Sequence, residues 1–291
     1  MKDEVFDKYR TAGTIASRIL REGAQDIRVG VSYLELVESI EGRVRAEGAE
    51  LAFPLNLSLN EDAAHDTAAP GDERVFKKGD VAKLDLGVQI DGYIADTATT
   101  VDLGNNSLLV DASREALEAA IRAVKPGVAA GMIGAAVQQE IESRGYRPIS
   151  NLTGHGLGQY VQHGPPTIPN IGTGGGTVIE EGMVFAIEPF ATTGSGRVGE
   201  KSRMEIYSQI SSKPVRIPAG RTILDKVRDR NGLPFSRRWL AERKLDLALP
   251  ALVRSVTLHG YPVLSDVAGS LVSQHEHTLI VTEDGCIVTT R

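Results

Sequence analysis

The feature that most limits the fold is an internal echo. The segment "VFKKGDVAKLD" ends at Asp85 and "VIEEGMVFAIE" ends at Glu188, and in each a glycine, Gly79 or Gly182, lies six residues before the carboxylate. Helical patterning precedes both, over Asp7 to Gly23 and Ser32 to Glu47, then over Ser113 to Val124 and Met132 to Arg144. Gly30 and Gly48 bracket the second helix of the first pair, Gly127 and Gly145 that of the second, and both intervals are 18 residues. Ser32 and Glu35 are spaced as a capping box. A duplicated helix, helix and strands folds as two halves about a pseudo-twofold axis, and fused halves commonly bind at their interface. A glycine turn before an apolar strand is common enough to recur by chance, but the shared helix spacing argues for duplication.

Between Lys83 and Val101 the chain reads "KLDLGVQIDGYIADTATTV". Asp91-Gly92 is a hairpin turn signal, and Leu84, Leu86, Val88 and Ile90 alternate ahead of it. With the turn centred there, Gly87 faces Asp96 and Asp85 faces Ala98, so Asp85 and Asp96 share a face as diagonal neighbours roughly 7 to 8 Å apart. Two buried carboxylates at that range need a shared proton or a cation. The hairpin alone leaves open the plainer reading, a face turned to water where aspartates cost little.

A chain of 291 residues with 41% apolar content can bury a sizeable core without staples. One cysteine, Cys286, excludes an internal disulfide framework, and the start "MKDEVFDKYRTAG" has no apolar signal core, so a cytoplasmic location is expected. No apolar run approaches the length of a membrane span, and a net charge of -6 argues against a general nucleic-acid binder. From Arg221 to Leu258 the pattern turns helical, with Ile223, Leu224 and Val227, then Leu249, Leu252, Val253 and Val256, which reads as an insert over roughly 205–265 within a single domain spanning 1–291. Arg221 to Lys244 carries eight basic residues against three acidic ones, and Arg228, Arg237 and Arg238 are candidates for a transient contact with ribosomal RNA, or for ordinary solvated helix faces.

The duplication gathers Asp85, Asp96 and Glu188 near one cleft. Glu276, inside the alternating "SLVSQHEHTLIV", and His155, after Gly154 in "NLTGHGLGQYVQHGPP", join them as candidate ligands. Four carboxylates with one imidazole suit a pair of divalent first-row ions. No CxxC pair or HExxH appears, which removes the commonest zinc templates. Two ions roughly 3.5 to 4 Å apart would activate a water for attack on a carbonyl, so hydrolysis is the expected chemistry.

With these residues in place, "GVQIDGYIADTATTV", "GHGLGQYVQHG", "VFAIEPFATTGSG" and "QHEHTLIV" resemble the motifs of methionine aminopeptidases of the archaeal-like type II subgroup, from the first helix to the C-terminus. The resemblance implies an α+β pita-bread fold, with duplicated helix-helix-strand halves around a curved antiparallel sheet. It further implies that Asp85 holds one metal, His155 and Glu188 the other, and that Asp96 and Glu276 bridge. His65, in "NEDAAHDTAAPGD", matches a histidine near the substrate's N-terminal end, and His163 one that steadies the tetrahedral intermediate. Glu188 is implied to shuttle a proton besides coordinating, and Phe53, Gln162 and His163 to line the substrate wall. Cobalt, manganese, iron and zinc all suit the ligand set. A monomer acting on the N-terminal methionine of nascent chains follows from the same resemblance.

Two residues depart from the family pattern. His275 replaces an aromatic residue before Glu276, and Gln162 an aliphatic one before His163. His275 and His277 should point to the strand face opposite Glu276 and serve structure. Prolidase-like dipeptidases use the same fold behind an extra N-terminal domain, whereas only 84 residues precede Asp85 here. A non-catalytic RNA- or protein-binding relative would be expected to lose ligands, and all five are present.

Overall fold

The computed structural model describes residues 1–291 except Arg243; that residue, one of the eight basic ones counted in the insert, lies outside the described residues. Helix α1 (Asp3–Asp26) turns Ala12, Ala16, Ile19 and Leu20 inward at helical spacing. Helix α2 (Tyr33–Ala46) starts where the Ser32 hydroxyl accepts a hydrogen bond from the Glu35 amide at 3.3 Å, the serine half of the capping box. Both helices pack on β2 (Val81–Ile90) and β3 (Tyr93–Asp102), with β1 (Asn56–Leu59) on the other edge of β2. Asp91 and Gly92 take φ of 51° and 86°, the conformation a two-residue hairpin turn requires. Asp85 pairs with Ala98 and Gly87 with Asp96, the register expected from the turn.

The second half repeats the plan. Helix α3 (Ser107–Ala123) and α4 (Ala130–Ser143) pack on β6 (Val184–Ile187) and β9 (His277–Val281), and the hairpin β4 (Thr153–Gly158) and β5 (Val161–Pro169) lies on the other edge of β6. Helix α3 starts at Ser107, ahead of the apolar pattern beginning at Ser113, because Asp102 accepts from the amides of Gly104 and Asn106 and turns the chain at once. Equivalent glycines make equivalent bonds. Gly30 N–H donates to Phe76 O at 2.8 Å and Gly127 N–H to Ile179 O at 2.9 Å; Gly79 donates to Leu103 O at 2.9 Å and Gly182 to Val281 O at 3.0 Å. All four have φ between 82° and 96°, which side chains with a Cβ resist.

The halves meet along one seam. Ala98 and Glu276 exchange two backbone hydrogen bonds, of 3.3 and 3.0 Å. On one side the Thr278 hydroxyl accepts from the Asp96 amide at 2.7 Å and donates to the Asp96 carbonyl at 2.8 Å; on the other the Thr100 hydroxyl does the same for Gln274 at 2.8 and 2.6 Å. The two threonines occupy symmetric places, each replacing strand pairing where the twisted halves diverge.

Between β7 (Gly199–Gln209) and β8 (Leu258–Ser265) lie α5 (Pro218–Val227) and α6 (Leu245–Arg254), around their own apolar cluster with Ile223, Phe235, Leu249 and Leu252. This segment is fastened to the first half by a buried carboxylate. Glu41 receives both Arg238 guanidinium nitrogens at 3.1 and 2.9 Å, the Trp239 indole N–H at 2.7 Å and the Leu55 amide at 3.3 Å. Arg230 donates to the carbonyls of Leu51 and Ala52 at 2.9 and 3.0 Å, fixing the loop that carries Phe53. The expectation that Arg238 meets ribosomal RNA is therefore corrected: its side chain is 7% exposed and spent on Glu41, while Arg237 pairs with Asp246 and Glu205.

The seam yields a stability prediction. Thr278 is fully buried, so Thr278→Val keeps its shape and leaves the Asp96 N–H and C=O without partners. Urea denaturation should show a loss of about 1–3 kcal/mol with an unchanged slope; a loss below the error of the measurement would show that the seam does not depend on this hydroxyl.

Candidate active site

Backbone geometry explains how five distant residues converge. Asp85 and Asp96 face one side of the β2–β3 hairpin, Glu188 follows the last residue of β6, and Glu276 sits on the seam ahead of β9. His155 reaches them from β4, which is squeezed between β5 and β6. A Cβ on Gly154 would stand 2.3 Å from Ala186 O, and one on Gly156 1.8 Å from Pro165 O. Only glycine fits on either side of His155, which gives "GHG" its physical meaning.

Ligand atoms of Asp96, His155 and Glu276 lie within 4.8 Å of one another. His155 Nε2 stands 3.7 Å from Asp96 Oδ2 and 3.7 Å from Glu188 Oε1. Gln274, which sequence reasoning missed, donates its amide at 3.4 Å to both Asp85 Oδ2 and Glu276 Oε2. Its only sequence signal is its place two residues before Glu276, on the same strand face.

These groups fit a cation. Asp85 Oδ1, Asp96 Oδ1 and His155 Nδ1 are buried without a hydrogen-bond partner, a cost proteins rarely accept at an ordinary site. Burial pushes the Asp85 carboxyl up to about 7. Asp96, Glu188 and Glu276 are driven well above the usual carboxylate range, by burial first and then by the negative charges of their neighbours. Burial lowers His155 to about 3, so the imidazole stays neutral, cannot balance the carboxylates, and keeps a lone pair for a metal.

The cluster opens into a cavity of about 260 Å³. Phe53, His65, Gln162 and His163, singled out from sequence, all line it, together with Asn56, Leu152 and Leu264, which were not. Phe53 reaches the wall because Gly87 makes room: a Cβ there would lie 2.1 Å from the ring. His65 adopts φ 65°, with Nδ1 3.3 Å from Pro262 O, and His163 stands perpendicular to His155 with ring centres 4.5 Å apart. His275 and His277 point to the opposite face, as expected, with Nδ1 atoms 2.8 Å from Ser113 Oγ and Thr290 Oγ1.

The model of metallopeptidase family M24 matches residues 7–283. This chain belongs to that family. It is 51% identical over 292 aligned residues to a methionine aminopeptidase of Archaeoglobus fulgidus, with 100% of each chain covered. The crystal structure of a methionine aminopeptidase from Thermotoga maritima matches with a TM-score of 0.75 at 26% identity, covering 100% of this chain and 98% of that one. A thermophilic Arx1 matches with a TM-score of 0.90 at 21% identity, over 99% and 91% of the two chains, a likeness of fold. The pita-bread architecture that the motif resemblance implied is thus the fold observed, and membership of this metallopeptidase family makes the chain a metal-dependent hydrolase. No helix among the described residues is long and apolar enough to cross a membrane.

The raised carboxyls set a pH dependence. Below the ordinary value of 3.8 Asp85 is protonated in both folded and unfolded states; between there and about 7 the unfolded chain releases its proton while the folded site keeps it. Metal-free protein should lose stability as pH rises through that window, and a saturating divalent ion should remove the loss by favouring the ionised form. Thermal unfolding with chelator and with manganese at pH 5 and pH 8 checks this; a manganese-induced rise in Tm no greater at pH 8 than at pH 5 would contradict it.

Proposed function

We propose that this chain is a two-metal aminopeptidase that removes the N-terminal methionine from polypeptides whose second residue is small. The observation that carries the proposal is the complete ligand set, Asp85, Asp96, His155, Glu188 and Glu276, at the floor of one cavity in a chain that matches named methionine aminopeptidases end to end. In this reading Asp85 would hold one metal, His155 and Glu188 the other, and Asp96 and Glu276 would be shared between them. The positions of Asp96 and Glu276 beside the seam support the bridging role, since each half supplies one of them. Cobalt, manganese, iron and zinc fit the donor set alike. The whole chain, 1–291, is proposed as one catalytic domain in which roughly 205–265 forms the insert, and a monomer suffices because both halves of the site come from one chain.

A bound metal pair supplies an activated water and a polarised scissile carbonyl. The protein's residues supply the rest. Glu188, at the edge of the cluster and open to the cavity, takes the proton of the attacking water and returns it to the leaving amine. His163 donates a hydrogen bond to the developing oxyanion, and burial, which lowers its pKa, keeps it a neutral donor. His65, held neutral by burial at about 4, lies on the wall near the peptide. Phe53, Leu152 and Leu264 form an apolar surface for an unbranched thioether, with the Gln162 amide at its edge. The proposed contact with ribosomal RNA falls to the exposed Arg221 and Arg228, since Arg238 is withdrawn.

Two outcomes test this reading. Metal-loaded protein should cleave Met-Gly, Met-Ala and Met-Ser peptides about a hundredfold faster than Met-Leu or Met-Lys, because bulk at the second residue displaces the scissile carbonyl, and it should refuse blocked N-termini. Equal turnover of Leu-Gly and Met-Gly, or broad cleavage of X-Pro dipeptides, contradicts it in favour of a prolidase-like activity. Asp96→Ala should abolish turnover and weaken both metal-binding events in a calorimetric titration, whereas Asp85→Ala should weaken one more than the other. Two undisturbed events in Asp96→Ala would rule out the bridging role.

A further inference from the structure

A cavity of about 530 Å³, roomier than the one at the carboxylates, opens on the opposite face of the sheet. Its floor is the seam, with Thr97, Ala98 and Thr99 from one half and His275 and His277 from the other, and its walls are α1 and α3. Clefts of 300–1,000 Å³ with apolar walls and a few convergent polar groups are the usual form of small-molecule sites. Nothing in the peptidase reaction uses this one.

The lining indicates what would fit. Leu20, Ala24 and Leu117 give the two walls an apolar surface. Around them stand Arg21, Arg114 and Arg291, against one acidic residue, Glu118, in a chain whose net charge is -6. Arg291 is paired with Glu118, and Arg114 with Asp111 at 2.8 Å, whereas Arg21 joins no ion pair among the described residues. The floor adds a donor. Thr290 Oγ1 accepts from the Thr278 amide at 3.2 Å and lies 2.8 Å from His277 Nδ1; in the tautomer in which the hydroxyl donates to Nδ1, the ring carries its hydrogen on Nε2.

We infer that this cavity is a second binding site, for a small organic anion with an apolar body, such as a medium-chain carboxylate. The head group sits between the Arg21 guanidinium and His277 Nε2–H, and the body lies against Leu20, Ala24 and Leu117. Such charge-assisted bonds are the strong ones, and a guanidinium makes them with a carboxylate in preference to a neutral head. The site is one sheet layer from the carboxylate cluster: Thr97 follows Asp96, and His275 and His277 flank Glu276. An occupant therefore presses on the strands that aim Asp96 and Glu276, and its binding alters turnover; this coupling rests on the metal-binding reading of those two residues, the binding itself does not.

Sodium octanoate is the probe, titrated calorimetrically into manganese-loaded full-length protein, with octan-1-ol as the uncharged control and methionine as a competitor for the metal site. The expected result is one saturable site for octanoate that methionine does not displace. It should weaken at least tenfold in Arg21→Glu and in Ala24→Phe, which fills the cavity without changing charge, and octan-1-ol should bind at least tenfold more weakly. In the wild type octanoate should change kcat or KM for a Met-Gly peptide, and in Arg21→Glu the same concentration should not. Turnover and Tm of both variants without octanoate report whether they fold and whether the peptidase reading itself holds. Absence of saturable binding, displacement by methionine, or equal binding by both variants overturns the site; binding without any change in turnover overturns the coupling.

Discussion

Four carboxylates brought together beneath one cavity are the constraint around which the rest of this molecule is arranged. Desolvation raises the carboxyls of Asp85, Asp96, Glu188 and Glu276, the charges of neighbouring carboxylates raise the last three further, and the neutral His155 cannot relieve them. Taking such groups out of water costs several kcal/mol per ion unless a counter-charge joins them. A divalent metal site meets that need, and the same low dielectric that makes the bare cluster unfavourable strengthens the grip of the filled one.

The scaffold holds this arrangement rigid in the direction that matters. The first half contributes Asp85 and Asp96 from a hairpin packed on two helices, the second contributes Glu188 and Glu276 from the ends of the paired strands β6 and β9, and the halves are stitched together by the Thr278 and Thr100 hydroxyls. Gly154 and Gly156 let β4 approach close enough for His155 to reach across. The insert acts at the rim, where Arg230 and Glu41 hold the loop that presents Phe53. Floor and wall of the cavity are thus fixed by different parts of the chain, the floor by the seam and the wall by contacts between the insert and the first half.

Much of this is legible in the sequence because its causes are local. Asp91-Gly92 sets the hairpin register, and with it the shared face of Asp85 and Asp96, through turn chemistry confined to a few residues. The paired glycines at Gly30 and Gly127, and at Gly79 and Gly182, mark equivalent positive-φ turns, so a spacing in the sequence became a symmetry in space. What escaped reading depends on distant partners. Gln274 matters because two carboxylates lie beside it, and Asn56 because it pairs with Asp85 across strands. Arg238 has the sequence context of a solvated charge, because the residue that holds it, Glu41, lies almost two hundred residues earlier. The early start of α3 was hidden because Leu108 faces solvent and Asp102, not an apolar stripe, begins the helix.

The central claim is that Asp96 and Glu276, one from each half, bind a pair of metal ions between them. Diffraction from crystals soaked in manganese, collected just above and just below the manganese absorption edge, tests it directly. Two anomalous peaks roughly 3.5 to 4 Å apart, each within coordination distance of both Asp96 and Glu276, are the predicted result. A single peak, or peaks away from these two carboxylates, would contradict the account.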